Sequence, residues 1–274
     1  MTPSFLRRFV LVGLLLPCLS PAQTLLFKSG FESNTALGTV TGTAPTGPEQ
    51  TISGTDTSTN FTWPITAFSP NPGLDGIHTV PPHTSTDANS GHFLNSIDGS
   101  TFHSGTKSLN LDMVGYPDGS CCGQNVLNMV GMSQPINSLY QRIWVKLGPE
   151  VATQIAAHPS NFWRDLFEIK TTSDFRIITY VYKNNSNPNP YFFVQSDNGA
   201  LSSPTQTFWT ASNTTVAVPL NQWFLEEIYL KRSSGYDGQF FFAINGQTVD
   251  NKMGPNYGGS ISNQIINQWM IQKE

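Results

Sequence analysis

The chain has 274 residues, with 14 Lys and Arg against 18 Asp and Glu, so 12% of the residues are charged and the formal net charge is −4. Charged residues are about half as frequent as in a typical soluble domain, while aromatic residues, also 12%, are equally common. This composition excludes a disordered charged tail, a coiled coil, and a basic surface for a nucleic-acid backbone.

Residues 1–22 have the pattern of a secretory signal peptide. Arg7 and Arg8 precede an apolar run over residues 9–16, and small residues follow at positions 20–22. Such a run is too short to span a membrane. We therefore expect cleavage after Ala22 and a secreted protein, extracellular or periplasmic, in which residues 23–274 form one domain.

Cleavage would remove Cys18 and leave the adjacent pair Cys121 and Cys122 as the remaining cysteines. One adjacent pair cannot supply a framework of disulfides. In an oxidising compartment, a vicinal bridge, an intermolecular bridge and two reduced loop residues are all compatible with this sequence. The redox state of the pair stays open at this point.

Residues 23–139 contain short apolar islands separated by Thr, Ser, Gly, Asn and Pro, which predicts short strands joined by long loops. The segment 44–90 is the least regular, and we expect a long loop over one face there. The apolar islands lie at residues 24–27, 61–63, 93–94 and 108–111.

From residue 138 onward the sequence alternates between polar and apolar residues, which is typical of strands. Residues 149–158 (PEVATQIAAH) form the one convincing short helix, and Asn245-Gly246 predicts a two-residue hairpin. More than ten short strands with one helix predict an all-β fold, a two-sheet antiparallel sandwich of jelly-roll type with long loops. The strands of this second half are expected at residues 140–147, 165–171, 175–182, 191–195, 223–231, 239–244 and 264–271, with turns at 184–190 and 197–199.

Several of these segments resemble the concanavalin A-like jelly-roll polysaccharide lyases of the heparin lyase I and alginate lyase type. The resemblance lies in the opening SGFE at 29–32, HSGTKSL at 103–109, YQRIWVKL at 140–147, and the strand at 223–231 with the Asn-Gly turn at 245–246. It covers most of the mature chain through short motifs. It implies a secreted protein that holds a polysaccharide on one of its sheets.

Jelly rolls of this group often hold a structural calcium ion between a Glu such as Glu32 and an Asp of the last strand. Here the last strand reads QWMIQKE over 268–274 and has no Asp, and Ca²⁺ needs several oxygen ligands. We therefore expect no cofactor. Alginate-lyase-like members also carry Gln-x-His on one strand, whereas the comparable Glu168-Ile169-Lys170 has no His.

Alternation places the polar residues of each predicted strand on one face. If these strands are neighbours in one sheet, their polar faces form one groove. Its rings would stack on sugar faces, and its cations would pair with uronate carboxylates. The residues predicted to bind substrate are Glu168, Arg142, Trp144, Tyr191, Gln195, Glu227, Tyr229 and Lys231.

Cleavage of a uronic-acid polymer by β-elimination needs three groups: one that neutralises the substrate carboxylate, a base for the C5 proton, and an acid for the leaving oxygen. Arg176 or Lys170 fits the first role. Tyr180 or Tyr182 fits the other two if a nearby cation lowers the pKa of the phenol. A loop histidine, His92 or His103, is a further candidate for the base.

Charged pairs across strands and rows of tyrosines also stabilise ordinary sheets. Two functions are therefore open: a secreted lyase that cleaves an anionic, uronic-acid-containing polysaccharide, and a non-catalytic carbohydrate-binding or adhesion module. Either has a polysaccharide as its partner. We expect a monomer without a nucleic-acid partner and, after signal cleavage, without a membrane.

Other enzyme classes lack their sequence patterns. A glycoside hydrolase needs two carboxylates within about 5–10 Å of each other, and no strand carries the evenly spaced pair that would place them so. The nucleophile elbow of serine hydrolases, the phosphate-binding loop and the dinucleotide-binding glycines are absent from the sequence.

Overall fold

The computed structural model describes residue 25 and residues 28–41, 49–63, 76–80, 92–113, 124–130, 136–158, 160–170, 175–198, 206–233, 236–254, 266 and 268–271. The predicted signal peptide and the pair Cys121–Cys122 lie outside these ranges. Within them, no helix is long and apolar enough to cross a membrane.

The described ranges contain sixteen strands and one helix, and the predicted all-β fold is confirmed. In chain order they are β1 (Ala36–Thr41), β2 (Glu49–Asp56), β3 (Phe61–Trp63), β4 (Gly76–Val80), β5 (Ser96–Asp98), β6 (Ser108–Asn110), β7 (Gln124–Val130), β8 (Ser138–Lys146), α1 (Pro149–Ala157), β9 (Asn161–Lys170), β10 (Arg176–Asn184), β11 (Asn187–Asp197), β12 (Thr207–Asn213), β13 (Trp223–Lys231), β14 (Gln239–Ile244), β15 (Gln247–Met253) and β16 (Gln268–Ile271).

Two antiparallel sheets form a sandwich with the hydrophobic core between them. The large sheet has the order β1-β2-β4-β7-β16-β9-β10-β11-β12, with β3 beside β2, and the small sheet has the order β15-β14-β13-β8. Phe192 of β11 meets Phe242 of β14 edge to face across the core, with ring centroids 5.7 Å apart. A separate pair, β5 and β6, completes the strands.

The helix forms where the sequence predicts it. Pro149 stands in its first turn, where the missing N–H costs nothing. Val151 and Ile155 face the core and are buried. Lys183 of β10 is buried beside the helix and donates to the carbonyl oxygen of Ile155 at 2.9 Å, so an otherwise unpaired carbonyl near the helix C-terminus is satisfied.

The expectation of a long loop over residues 44–90 is wrong. This segment contains β2, β3 and β4, and each contributes one apolar side chain to the core, Ile52, Trp63 and Ile77. β2 and β4 have few apolar residues, so their hydrophobic pattern is too short to register as alternation, although one buried side chain suffices to anchor each strand. β3 coincides with the apolar island at residues 61–63.

The turn expected over residues 184–190 is much shorter in the structure. Only Asn185 and Ser186 separate β10 from β11, and the Asn184 side chain accepts hydrogen bonds from the backbone N–H groups of Ser186 and Asn187. Residues 187–190, which include two prolines, continue β11 beyond the point where β12 pairs with it. Proline is tolerated there because this part of the strand is an edge.

Candidate functional site

The outward side of β9, β10 and β11, which we call the β9–β11 face, gathers most of the predicted catalytic residues. The three strands are neighbours in the large sheet, and Arg176 lies opposite Lys170 on one side and Asp197 on the other. Glu168 and Gln195 both lie opposite Ile178. Opposed residues of adjacent strands share a face, so the charged groups form one cluster.

Arg176 is held by a buried carboxylate. Its Nε and Nη2 atoms donate to the two oxygens of Asp197 at 2.9 and 2.8 Å, and Gln195 Nε2 donates to the same carboxylate at 2.6 Å. Asp197 is fully buried. Burial lowers the pKa of Arg176, but the hydrogen bonds to Asp197 and the charge of Glu168 outweigh it and raise the pKa, so the guanidinium stays charged.

Lys170 supplies the second cation of the cluster. Its Nζ atom lies 3.4 Å from Oε1 of Glu168, which is fully buried, while the lysine side chain retains 28% of its exposure. A partly exposed ammonium above a buried carboxylate can still meet a ligand from solvent. The face therefore presents a lysine and an arginine side by side, each in contact with a carboxylate.

A continuous row of rings borders these charges. Trp163 meets Tyr180 edge to face at a centroid distance of 6.3 Å, and Tyr180 lies 5.9 Å from Phe193. Tyr182 continues the row, 5.3 Å from Phe193 and 5.6 Å from Tyr191. Such rings offer flat apolar surface with polar edges, which suits the C–H faces and hydroxyl groups of a sugar.

The roles predicted for the tyrosines require a nearby cation to lower the pKa of the phenol, and this condition is not met at Tyr180. Burial and the charge of Asp165 raise the pKa of its phenol, and the opposing effect of Arg176 is smaller. Asp165 lies opposite Tyr180 in the register of β9 and β10 and is itself buried. Tyr180 therefore keeps its proton at neutral pH and can donate it, rather than act as a base.

The remaining predicted binding residues do not join this cluster. They belong to β8 and β13 of the small sheet, where Glu227 lies opposite Arg142 and Tyr229 opposite Tyr140. Their side chains point away from the core, on the other side of the sandwich from Arg176. The predicted single groove is therefore divided between two surfaces, and the residues on the small sheet are Arg142, Trp144, Glu227, Tyr229 and Lys231.

His103 also lies on the small-sheet side. Its ring stacks on Trp144 with a centroid distance of 3.6 Å and an interplanar angle of 12°. The structure thus separates this histidine from Tyr180 and from the cations of the large sheet. It is not placed to act as a base beside them.

Glu32 is occupied by protein donors. Thr106 donates from its backbone N–H to Oε1 at 2.8 Å and from its hydroxyl to Oε2 at 2.6 Å, and Lys107 N–H also reaches Oε1. These hydrogen bonds from Thr106 hold the pKa of Glu32 below its usual value. Within the described residues, no group of three or more His, Cys, Asp or Glu is arranged around a metal position.

Sequence reasoning missed Asp197, Asp165 and Trp163. Extending the alternation of Tyr191 and Gln195 by two residues would have included Asp197. Asp165 could not be found this way, because an irregularity in the pairing between Thr179 and Tyr180 shifts the register, and such a shift exchanges the faces of all residues beyond it.

No protein-family model and no curated protein matches the chain. Among solved structures, alginate lyase Aly36B is 12% identical over 77% of this chain and 74% of that one, with a TM-score of 0.39. A double mutant of Aly36B in complex with alginate tetrasaccharide is 14% identical over 57% of this chain, with the same TM-score, and this chain spans 64% of its length. The receptor-binding domain of botulinum neurotoxin type G gives 11% identity and a TM-score of 0.33. We therefore base the function on this chain's own side chains.

Proposed function

We propose that the β9–β11 face binds an anionic, uronic-acid-containing polysaccharide and cleaves it by β-elimination. The observation that carries this proposal is the adjacency of Lys170 and Arg176 on one face, beside the row of rings that includes Tyr180 and Tyr182. Two cations suit a substrate carboxylate, and the rings suit the sugars on either side of it.

The residues divide the three roles of the elimination. Arg176 keeps N–H groups beyond the two that Asp197 occupies, so it and Lys170 are suited to neutralise the substrate carboxylate. Tyr180 holds its proton and is suited to donate it to the leaving oxygen. Tyr182, which lies beside Tyr191 on this face, is the candidate base for the C5 proton. Glu168, Tyr191 and Gln195 line the same face and position these groups.

One feature favours a second candidate function. Both cations already contact carboxylates, Arg176 with Asp197 and Lys170 with Glu168, which reduces the positive charge available to a substrate. A face of rings and neutralised cations binds a polysaccharide without needing to cleave it. The second candidate is therefore a non-catalytic carbohydrate-binding module that uses the same face.

Elimination creates a conjugated double bond, so ultraviolet absorbance during incubation with alginate, glucuronan, pectate and heparin separates the two functions. We expect absorbance to rise with at least one polymer. Binding to a polymer without a rise in absorbance with any of the four would rule out the lyase in favour of the binding module.

The Tyr180→Phe variant removes one hydroxyl and keeps the ring. We expect kcat to fall by about 100-fold or more, the usual contribution of a positioned acid or base, with an unchanged melting temperature. Tyr236→Phe is the matched control, because this tyrosine is 91% exposed in the segment between β13 and β14. Equal activity of the two variants would remove Tyr180 from the mechanism.

A further inference from the structure

The outward side of β8, β13 and β14, which we call the β8–β13 face, carries a set of rings that remain in contact with solvent. Tyr140, Tyr229 and Phe241 lie opposite one another across the three strands. Trp144 follows Tyr140 four residues along β8, about 13 Å away at the usual rise of a strand. Tyr140 and Trp144 are 49% and 43% exposed, although rings of this size are usually well buried.

Polar groups stand between the two ends of this ring array. Tyr140 donates from its hydroxyl to Oε1 of Glu227 at 2.7 Å, and Nε of Arg142 lies 3.9 Å from the same oxygen. Arg142 keeps 60% of its side-chain exposure, so most of its N–H donors face solvent. The centre of the face therefore offers hydrogen-bond donors and acceptors, flanked by rings on both sides.

A loop outside the sheet holds one of the rings in place. His103 stacks flat on Trp144 and meets Trp223 edge to face. Thr106, three residues further along this loop, donates two hydrogen bonds to Glu32, which attaches the loop to a distant part of the chain. The indole of Trp144 is thus oriented before any ligand arrives, which lowers the entropy cost of binding.

We propose that the β8–β13 face is a separate glycan-binding surface that holds an anionic polysaccharide without cleaving it, on the opposite side of the sandwich from the β9–β11 face. Tyr140 and Trp144 would contact different sugars of one chain, because about 13 Å along a strand exceeds the width of a pyranose ring. Arg142 and Glu227 would bind hydroxyl and carboxylate groups between them. This inference takes only the class of ligand, an anionic polysaccharide, from the proposed function.

The charges on this face favour a polysaccharide over a protein partner. Lys146, Arg142 and Lys231 extend from the face, against the carboxylates of Glu227 and Asp237, so cations are in excess, as an anionic chain requires. Glu and Lys are depleted at the centres of protein–protein interfaces, whereas here charged groups occupy the middle of the ring array.

Affinity electrophoresis in gels containing alginate, glucuronan, pectate or heparin tests the proposal. We expect the protein to be retarded by at least one polymer, and Trp144→Ala and Tyr140→Ala each to raise the Kd for it by about tenfold, as loss of one stacked ring predicts. Tyr140→Phe keeps the ring and should retain most of the affinity. Tyr236→Ala removes an exposed ring that lies outside β8, β13 and β14 and should leave the Kd unchanged.

The outcomes separate this proposal from the lyase. If the protein shows elimination activity and Trp144→Ala and Tyr140→Ala leave polymer binding unchanged, the second surface is overturned and the lyase stands. If no elimination occurs and both variants weaken polymer binding, the lyase is overturned and the second surface stands. Absence of retardation in all four gels would overturn the second surface. So would a dimer of the parent protein that Trp144→Ala converts to a monomer in sedimentation.

Discussion

Arg176 cannot be removed alone without exposing the charge of its partner to an apolar environment. Asp197 is fully buried, and its two carboxylate oxygens accept hydrogen bonds from Arg176 and Gln195. Arg176→Ala leaves that carboxylate without its cation, and we expect a loss of about 3–5 kcal/mol in the free energy of unfolding, as for other broken buried pairs. Urea denaturation measures it.

The paired variant Arg176→Gln with Asp197→Asn is the control for this experiment. It removes both charges and keeps amide groups that can hydrogen-bond, so we expect it to recover most of the lost stability while remaining inactive. Equal stability of the single and paired variants would mean that Arg176 does not compensate for the charge of buried Asp197.

Glu226 lies on the core side of β13 and gives stability a pH dependence. It is fully buried; Gln141 donates to its Oε1 atom at 3.2 Å, and its other oxygen has no hydrogen-bond partner among the described residues. Burial raises the pKa of Glu226 from the ordinary 4.5 to about 8. The folded protein therefore keeps a proton that the unfolded chain releases, and stability falls as the pH rises from about 4.5 to about 8.

Glu226→Gln tests this dependence, because glutamine has the same shape and no ionisable group. We expect the variant to be more stable than the parent at neutral pH by a few kcal/mol, and to show little change in melting temperature over the interval in which the parent loses stability. An unchanged slope in the variant would assign the pH dependence to other groups.

Much of the residue-level site could be predicted, because alternation depends only on the period of a strand. Alternation put Lys170 and Glu168 on one face of their strand, and Arg176 and Tyr180 on one face of theirs. It also put Glu226 and Glu227 on opposite faces, with Glu227 among the polar side chains. Glu226 is fully buried and the Glu227 side chain keeps 22% of its exposure. Alternation could not show that a carboxylate is tolerated on the core side of β13, because that depends on the packing of the other sheet.

At the scale of elements, the hairpin between β14 and β15 shows how a dipeptide sets a turn. Asn245 and Gly246 have φ angles of 51° and 76°, the left-handed conformation that this turn type needs at both positions. Asn245 also accepts from the N–H of Leu225 at 2.8 Å and donates its own N–H to the carbonyl of that residue. The turn is thereby attached to β13.

Asn245→Ala should lower the free energy of unfolding by about 1–2 kcal/mol, because alanine resists positive φ and cannot accept the hydrogen bond. Asn245→Gly removes the same side chain and permits the conformation, so its loss should be smaller. Chemical denaturation of both variants measures the difference. Equal losses would mean that backbone conformation contributes nothing at this turn.

Most elements of the second half could be predicted closely, although β12 (Thr207–Asn213) was missed, and fewer of the first half could be. β13 and β14 have the predicted boundaries, since each is a run rich in apolar and aromatic residues, nine and six residues long. In the first half, the short strands β3 and β6 coincide with the apolar islands at residues 61–63 and 108–111, whereas β5 lies outside the islands. A strand such as β5, with three residues, contains too little of a period to be recognised, and its pairing partner decides its existence.

At the scale of the whole molecule, sheet membership separates two charged segments that look alike in the sequence. The strands around Arg176 and around Glu227 both combine charges with tyrosines, but they lie in different sheets with the core between them. Pairing between distant strands depends on the complete packing. Local pattern therefore placed the polar residues of each strand on one face, but the single groove expected from neighbouring strands is divided between the two sheets.

The position of β16 gives a prediction for the complete fold. This strand lies between β7 and β9 and pairs with both, so it joins the two halves of the large sheet. Deleting residues 264–274 leaves two unpaired strand edges facing each other, and such edges promote aggregation. We expect the truncated protein to lose its cooperative thermal transition and to be cleaved rapidly by proteases, and a melting curve like that of the full chain would contradict this.

β16 follows every other described strand along the chain, so a ribosome makes the middle of the large sheet after both of its flanks. Until residues 268–271 emerge, β7 and β9 have no strand to connect them, and the sandwich stays open along its centre. A chain that stops before residue 268 therefore lacks the strand that joins the two halves of the large sheet, so cooperative folding has to wait for the last of the described strands.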